Sequence, residues 1–157
     1  MNHHRELPPR QGHREHRQEP GSGVYGELQR KVSQVKKLES LDPDEMVRSA
    51  DEIGKDLSHG RNSVKHAQVR HILDEVNRIR LEIRKRPGDL AGDLLARIKL
   101  LKPRFAYLAG RDNGLKPLYS VLSPMIDKTT DHHDFNRFAE FVQAVVAYHK
   151  FYGGSDR

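Results

Sequence analysis

Between residues 94 and 108 the apolar side chains fall at Leu94, Ile98, Leu101, Phe105 and Leu108, in steps of 4, 3, 4 and 3. That spacing draws one stripe along an α-helix and would scatter over both faces of a strand. The stripe passes Pro103 without losing phase. A proline removes one backbone hydrogen bond, so a bent or locally broken helix that still packs on one face is expected.

The same period recurs along the chain, and no segment alternates as a strand. A first helix is expected from about Tyr25 to Leu38, with Leu28, Val32, Val35 and Leu38 inward. In LDPDEM, Asp42 reads as an N-cap, Pro43 as the first helical residue and Glu45 as the partner in a capping box. The second helix carries Met46, Ala50, Ile53 and Leu57; Gly54 weakens it and Gly60 ends it. A third helix starts near Asn62 or Ser63, with Val64, Ile72, Val76, Ile79 and Ile83 inward. RPGD stops it through Pro87 and Gly88, and Asp89 caps the fourth helix, which carries the Leu94–Leu108 stripe after Leu90. A short helix over about Leu115–Ile126 follows, with Leu118, Leu122 and Met125 inward and Pro124 near its end. The last helix begins at a Thr130 or Asp131 cap and stops at Gly153 and Gly154. Its stripe of Phe135, Phe138, Val142, Val145, His149 and Tyr152 is widened by Phe141, Val146 and Tyr148. Helices so apolar are central in a bundle or covered by a partner. The expected fold is all-α, one small bundle of five to six helices over residues 24–154.

Residues 1–23 contribute four histidines, three prolines and three glycines and offer almost nothing to bury, so they read as a disordered tail. Such a tail lacks the rigid support that would make a preorganised metal site of His3, His4, His13 and His16. With no cysteine, disulfides, thiolate catalysis and cysteine-ligated zinc are excluded. No uncharged run approaches a bilayer span and the N-terminus has no signal-peptide core, so a cytoplasmic protein without membrane partners is expected.

The formal net charge is +6, and it is not spread evenly. Residues 61–111 hold thirteen basic and five acidic side chains, a balance of +8, whereas residues 21–60 and 112–157 balance at −2 and −1. Charge concentrated on two adjacent helices is the footprint of a polyanion partner. In RIRLEIRKR, Arg78 and Arg84 either solvate a long exposed helix or touch nucleic acid. On the fourth helix, Arg97, Arg104 and Arg111 recur every seven residues along one edge of the stripe, with Lys99 and Lys102 toward the other side. Repeated cationic donors suit phosphates, and the arginine fork matches phosphate geometry. Long basic side chains also flank apolar stripes in proteins that bind nothing. Tyr107 points away from the stripe and has no core to fill; a nucleotide base, a partner subunit or water could meet it.

Candidate chemistry is sparse. DHHD at 131–134 offers metal ligands or an acid–base pair for RNA cleavage, but it also reads as a helix start, with Asp131 the cap and Asp134 favouring the positive dipole end. Neighbouring helical histidines point about 100° apart and do not easily converge on one ion. His149 in AYHKF reads as a hydrogen-bonded core residue or a partner contact. No glycine-rich phosphate loop or HExxH occurs. No enzyme activity, cofactor or metal is expected.

Two stretches carry a further signal. IKLLKPRFAYLAGR at 98–111 and FAEFVQAVVAYHKFYGG at 138–154 resemble the small helical subunit of the type III-A CRISPR effector complex. The likeness runs through Leu101, Lys102, Pro103, Arg104, Ala106, Tyr107, Ala109, Gly110 and Arg111, then Phe138, Phe141, Ala144, Val145, Val146, Ala147, Tyr148, His149 and Lys150. The first half matches only in being helical with a charged third helix, and the tail has no counterpart. The resemblance implies a non-catalytic subunit that stacks in several copies along a ribonucleoprotein filament in antiviral defence. Its implied partners are guide RNA, target RNA, the backbone and large signature subunits, and copies of itself; alone it could form a homodimer. Lys102, Arg104 and Arg111 match the family's motif; Lys99, Arg97, Arg78, Arg84 and Tyr107 follow from placement. Two other readings compete: a purely protein-binding assembly subunit, and a small ribonuclease built on DHHD.

Overall fold

In the computed structural model, the residues described are 23–59, 63–90 and 92–154. The expected tail, with its four histidines, lies outside them apart from Gly23, as do Gly60 and Asn62. The described residues form six α-helices: α1 (Val24–Gln34), α2 (Pro43–His59), α3 (His66–Lys85), α4 (Gly92–Arg111), α5 (Lys116–Asp127) and α6 (His132–Phe151). Two 3-10 turns, Leu38–Ser40 and Asn113–Leu115, join them, and no strand occurs among the described residues. The all-α expectation holds.

The helices close a ring of packed neighbours: α1 on α2, α2 on α6, α6 on α3, α3 on α4, α4 on α5, and α5 back on α1. Helix α6 is the spine. Phe135, Phe138 and Phe141 are fully buried, so its broad apolar girth is consumed within the chain by α2 and α3. All five residues of the Leu94–Leu108 stripe are buried. Pro103 neither breaks α4 nor ends it. It lies on the exposed side, where water can satisfy the carbonyl that lost its N–H partner.

Several boundaries differ from the sequence reading. Helix α1 ends at Gln34, and Val35 is extended at φ −85, ψ 144. Leu38 still reaches the core, carried there by a 3-10 turn. Val64 is also buried but precedes α3, its N–H donating to Leu57 O at 2.8 Å. Helix α4 starts at Gly92, three residues past Asp89, so Asp89 is not its cap. Asp42 caps α2 by accepting from Asp44 N at 2.9 Å, while Glu45 turns to Lys31 at 3.2 Å instead of closing a capping box.

Gly54 has a role that its low helix propensity conceals. A Cβ there would stand 2.6 Å from Tyr148 Cβ and 2.8 Å from His149 N, so the glycine lets α2 and α6 meet almost backbone to backbone. Beside this crossing His149 is fully buried, with Nε2 2.9 Å from Val64 O and Nδ1 3.1 Å from His66 Nδ1. If Nε2 donates to the carbonyl, Nδ1 accepts from His66, which fixes one neutral tautomer. Burial pushes the His149 imidazole below its usual range; the Val64 carbonyl opposes that shift.

Candidate nucleic-acid interface

The α3–α4 hairpin carries most of the +8 block, and its two helices leave a groove between them. Helix α4 buries one heptad stripe and exposes a second, set one residue back from it: Arg97, Leu100, Arg104, Tyr107 and Arg111. Cationic and apolar side chains alternate along it. The α3 wall supplies Gln68, His71, Glu75, Arg78 and Ile79. At one end Arg86 and Asp93 tie the hairpin with two hydrogen bonds, 2.7 and 3.2 Å. This fork pulls the Asp93 carboxyl below its usual range.

Glu75 organises the groove. Its carboxylate, largely buried, accepts from Arg104 across the groove at 2.6 Å and from Arg78 on its own helix at 3.1 Å. His71 Nε2 lies 3.8 Å away. Each arginine has five N–H donors and commits one to this carboxylate, so donors remain for a ligand. Sequence reasoning missed Glu75. Its signal was an acidic residue inside the inward arc of Ile72, Val76 and Ile79.

At Glu75 the groove opens into a cavity of about 540 Å³, lined by His71, Glu75, Pro103, Arg104, Tyr107, Leu108 and Arg111, with Gln68 at its side. Tyr107 is 66% exposed. The Arg111 guanidinium lies over its ring, 5.9 Å from the centroid.

The structure thus brings together five of the eight expected residues: Arg78, Arg97, Arg104, Tyr107 and Arg111. The other three lie elsewhere. Lys99 caps the end of α5, donating to the carbonyls of Ile126, Asp127 and Thr129 at 2.7, 3.1 and 3.2 Å. Burial holds its ammonium below the usual lysine range, with Asp127 opposing and Lys102 adding to the shift. Lys102 pairs with Asp127 at 2.8 Å, which raises its pKa. Arg84 is exposed and nine residues from Glu75, about half a turn round α3 from the groove.

The DHHD segment is a structural corner. Asp131 caps α6, accepting from Asp134 N at 2.9 Å, and pairs with Lys37. Asp134 is fully buried and does more than face a dipole. It accepts from Glu39 N at 3.1 Å, from Thr130 N at 3.1 Å and from Thr130 Oγ1 at 2.9 Å, with Lys37 Nζ at 3.4 Å. His132 and His133 meet edge to face. Among the described residues no three His, Asp or Glu side chains are placed to hold a metal.

Comparison with known proteins agrees with the likeness carried by residues 98–111 and 138–154. A Streptococcus thermophilus protein described as "CRISPR system Cms protein Csm2" is 29% identical over 92 residues, covering 57% of this chain and 74% of that protein. The family model for Csm2 Type III-A matches residues 26–155, which take in α2 to α6 whole and all but the first two residues of α1. The chain therefore belongs to the Csm2 family of type III-A CRISPR systems.

Proposed function

We propose that this chain is a non-catalytic subunit of a type III-A CRISPR effector, and that its α3–α4 groove runs along the backbone of the RNA bound there. The reading rests on the groove itself: four arginines and a tyrosine, drawn from the one strongly positive block, converge on a single surface. Arginines held by Glu75 present preset donors, which lowers the ordering cost of gripping a phosphate. The groove offers phosphate recognition and no base-edge code, which suits a complex in which guide–target pairing supplies sequence. In this role the chain stacks in copies along the cytoplasmic effector, beside backbone and signature subunits, and touches guide or target RNA.

The test is a charge reversal, Arg104→Glu with Arg111→Glu, in the assembled complex, with target-RNA affinity measured across a salt series. Each lost phosphate contact on a single strand should flatten the slope of log K against log salt by about 0.7, so the double variant should flatten it by about 1.4. An unchanged slope and affinity would defeat the reading and favour a protein-only assembly role.

A further inference from the structure

We propose that the cavity at the Pro103–Arg111 end of the groove receives one unpaired nucleobase of the bound strand, stacked on Tyr107. The proposal rests on the RNA reading above and gives this end of the groove a distinct task.

Tyr107 has no internal role. The inner stripe of α4 is already filled by Leu101, Phe105 and Leu108, all buried, while Tyr107 stands 66% exposed. One side of its ring is engaged by the Arg111 guanidinium, 5.9 Å from the centroid. A cation on an aromatic ring leaves the other face for a second flat partner. The cavity of about 540 Å³ falls within the range of small-ligand pockets. Its apolar surface is Pro103, Leu108 and the tyrosine ring; its polar groups are the Gln68 amide, the His71 imidazole, the Arg104 and Arg111 guanidiniums and the Glu75 carboxylate, which Arg104 and Arg78 already engage. An amide and an imidazole can each donate or accept, so they accommodate a base edge without selecting one base over another.

Charge identifies the occupant. Arg104 and Arg111 stand seven residues apart, about 10.5 Å along the helix axis, on either side of Tyr107. A flat ring flanked by two anions is the layout of a nucleotide within its strand. An aromatic side chain of a protein partner would fill the ring site but leave Arg111 without an anion and the remaining donors of Arg104, beyond the one on Glu75, unused. A paired base has its faces covered by its neighbours, so stacking selects an unpaired one.

The test uses the full-length chain and an oligoribonucleotide with 2-aminopurine at one position, either single-stranded or annealed to its complement. Binding of the single strand should change the fluorescence of the probe, and Tyr107→Leu should abolish that change. The same variant should weaken single-strand binding roughly 5- to 150-fold, as expected for loss of one base–aromatic stack, and leave duplex affinity within about twofold. Tyr107→Phe should restore both readouts. If Tyr107→Leu weakens both RNAs equally, or neither, while Arg104→Glu weakens both, the base pocket is overturned and the groove reading stands. If the wild-type chain binds neither RNA, both fall together.

Discussion

Replacing Gly54 with alanine tests how closely α2 and α6 meet. The added Cβ would lie 2.6 Å from Tyr148 Cβ, 2.8 Å from His149 N and 2.9 Å from Tyr148 C. Ordinary contact begins at 3.4 Å, so the helices must part by up to about 0.8 Å. Two of the three opposing atoms are backbone and cannot swing away. Overpacking of this kind costs about 1–3 kcal/mol, and the rigid neighbours place it near the upper end. Alanine's better helix propensity returns about 1 kcal/mol, leaving a net loss of about 2 kcal/mol. For a chain of this size that lowers Tm by roughly 4–8 °C. Gly110 is the control: it is helical, its φ is not positive, and a Cβ there meets nothing within 4 Å. Gly110→Ala should therefore stabilise by up to about 1 kcal/mol. Urea and thermal unfolding of the two variants should move in opposite directions. Equal stabilisation of both would refute the close approach of the two backbones.

Two other substitutions probe the frame behind the groove. Asp134→Ala should cost about 2–4 kcal/mol in urea unfolding, because it leaves the Glu39 and Thr130 amides without their acceptor, while Lys37 keeps Asp131; Asp134→Asn, which retains an acceptor, should cost clearly less. His149 sets an acid limit. Its folded pKa is depressed, so the unfolded chain takes up the proton first, and stability should be level above pH 7 and decline as pH falls through about 6.5. Replacing His149 with Gln should flatten that decline, as measured by unfolding midpoints between pH 7.5 and 5.5.

What could be read from the sequence followed from local physics. The heptad stripe of α4 fixed that helix's inner face because each burial needed only its own spacing. The Asp131 cap is a contact within one turn and was equally legible. Apolar spacing alone could not separate a helix from a turn that carries the same side chain inward, so α1 was drawn through Leu38. The roles of Gly54 and Asp134 depend on partners far along the chain: Tyr148 for the one, Lys37 and Glu39 for the other. Charge counting pointed to α3 and α4 but could not tell an open cation from an occupied one. Lys99 and Lys102 turn to the end of α5, whereas the heptad arginines stay on the open side.

The groove also explains why α4 carries two stripes. One stripe builds the core, and the second, one residue back, presents cations and an aromatic to the outside. Ultraviolet crosslinking of the assembled effector to its target RNA, with mass-spectrometric mapping of the modified peptides, tests this directly. The account predicts RNA adducts on α4 between Arg97 and Arg111, with Tyr107 foremost. Adducts confined to α2 and α6, or an unmodified α4 in a complex that holds its target, would contradict it.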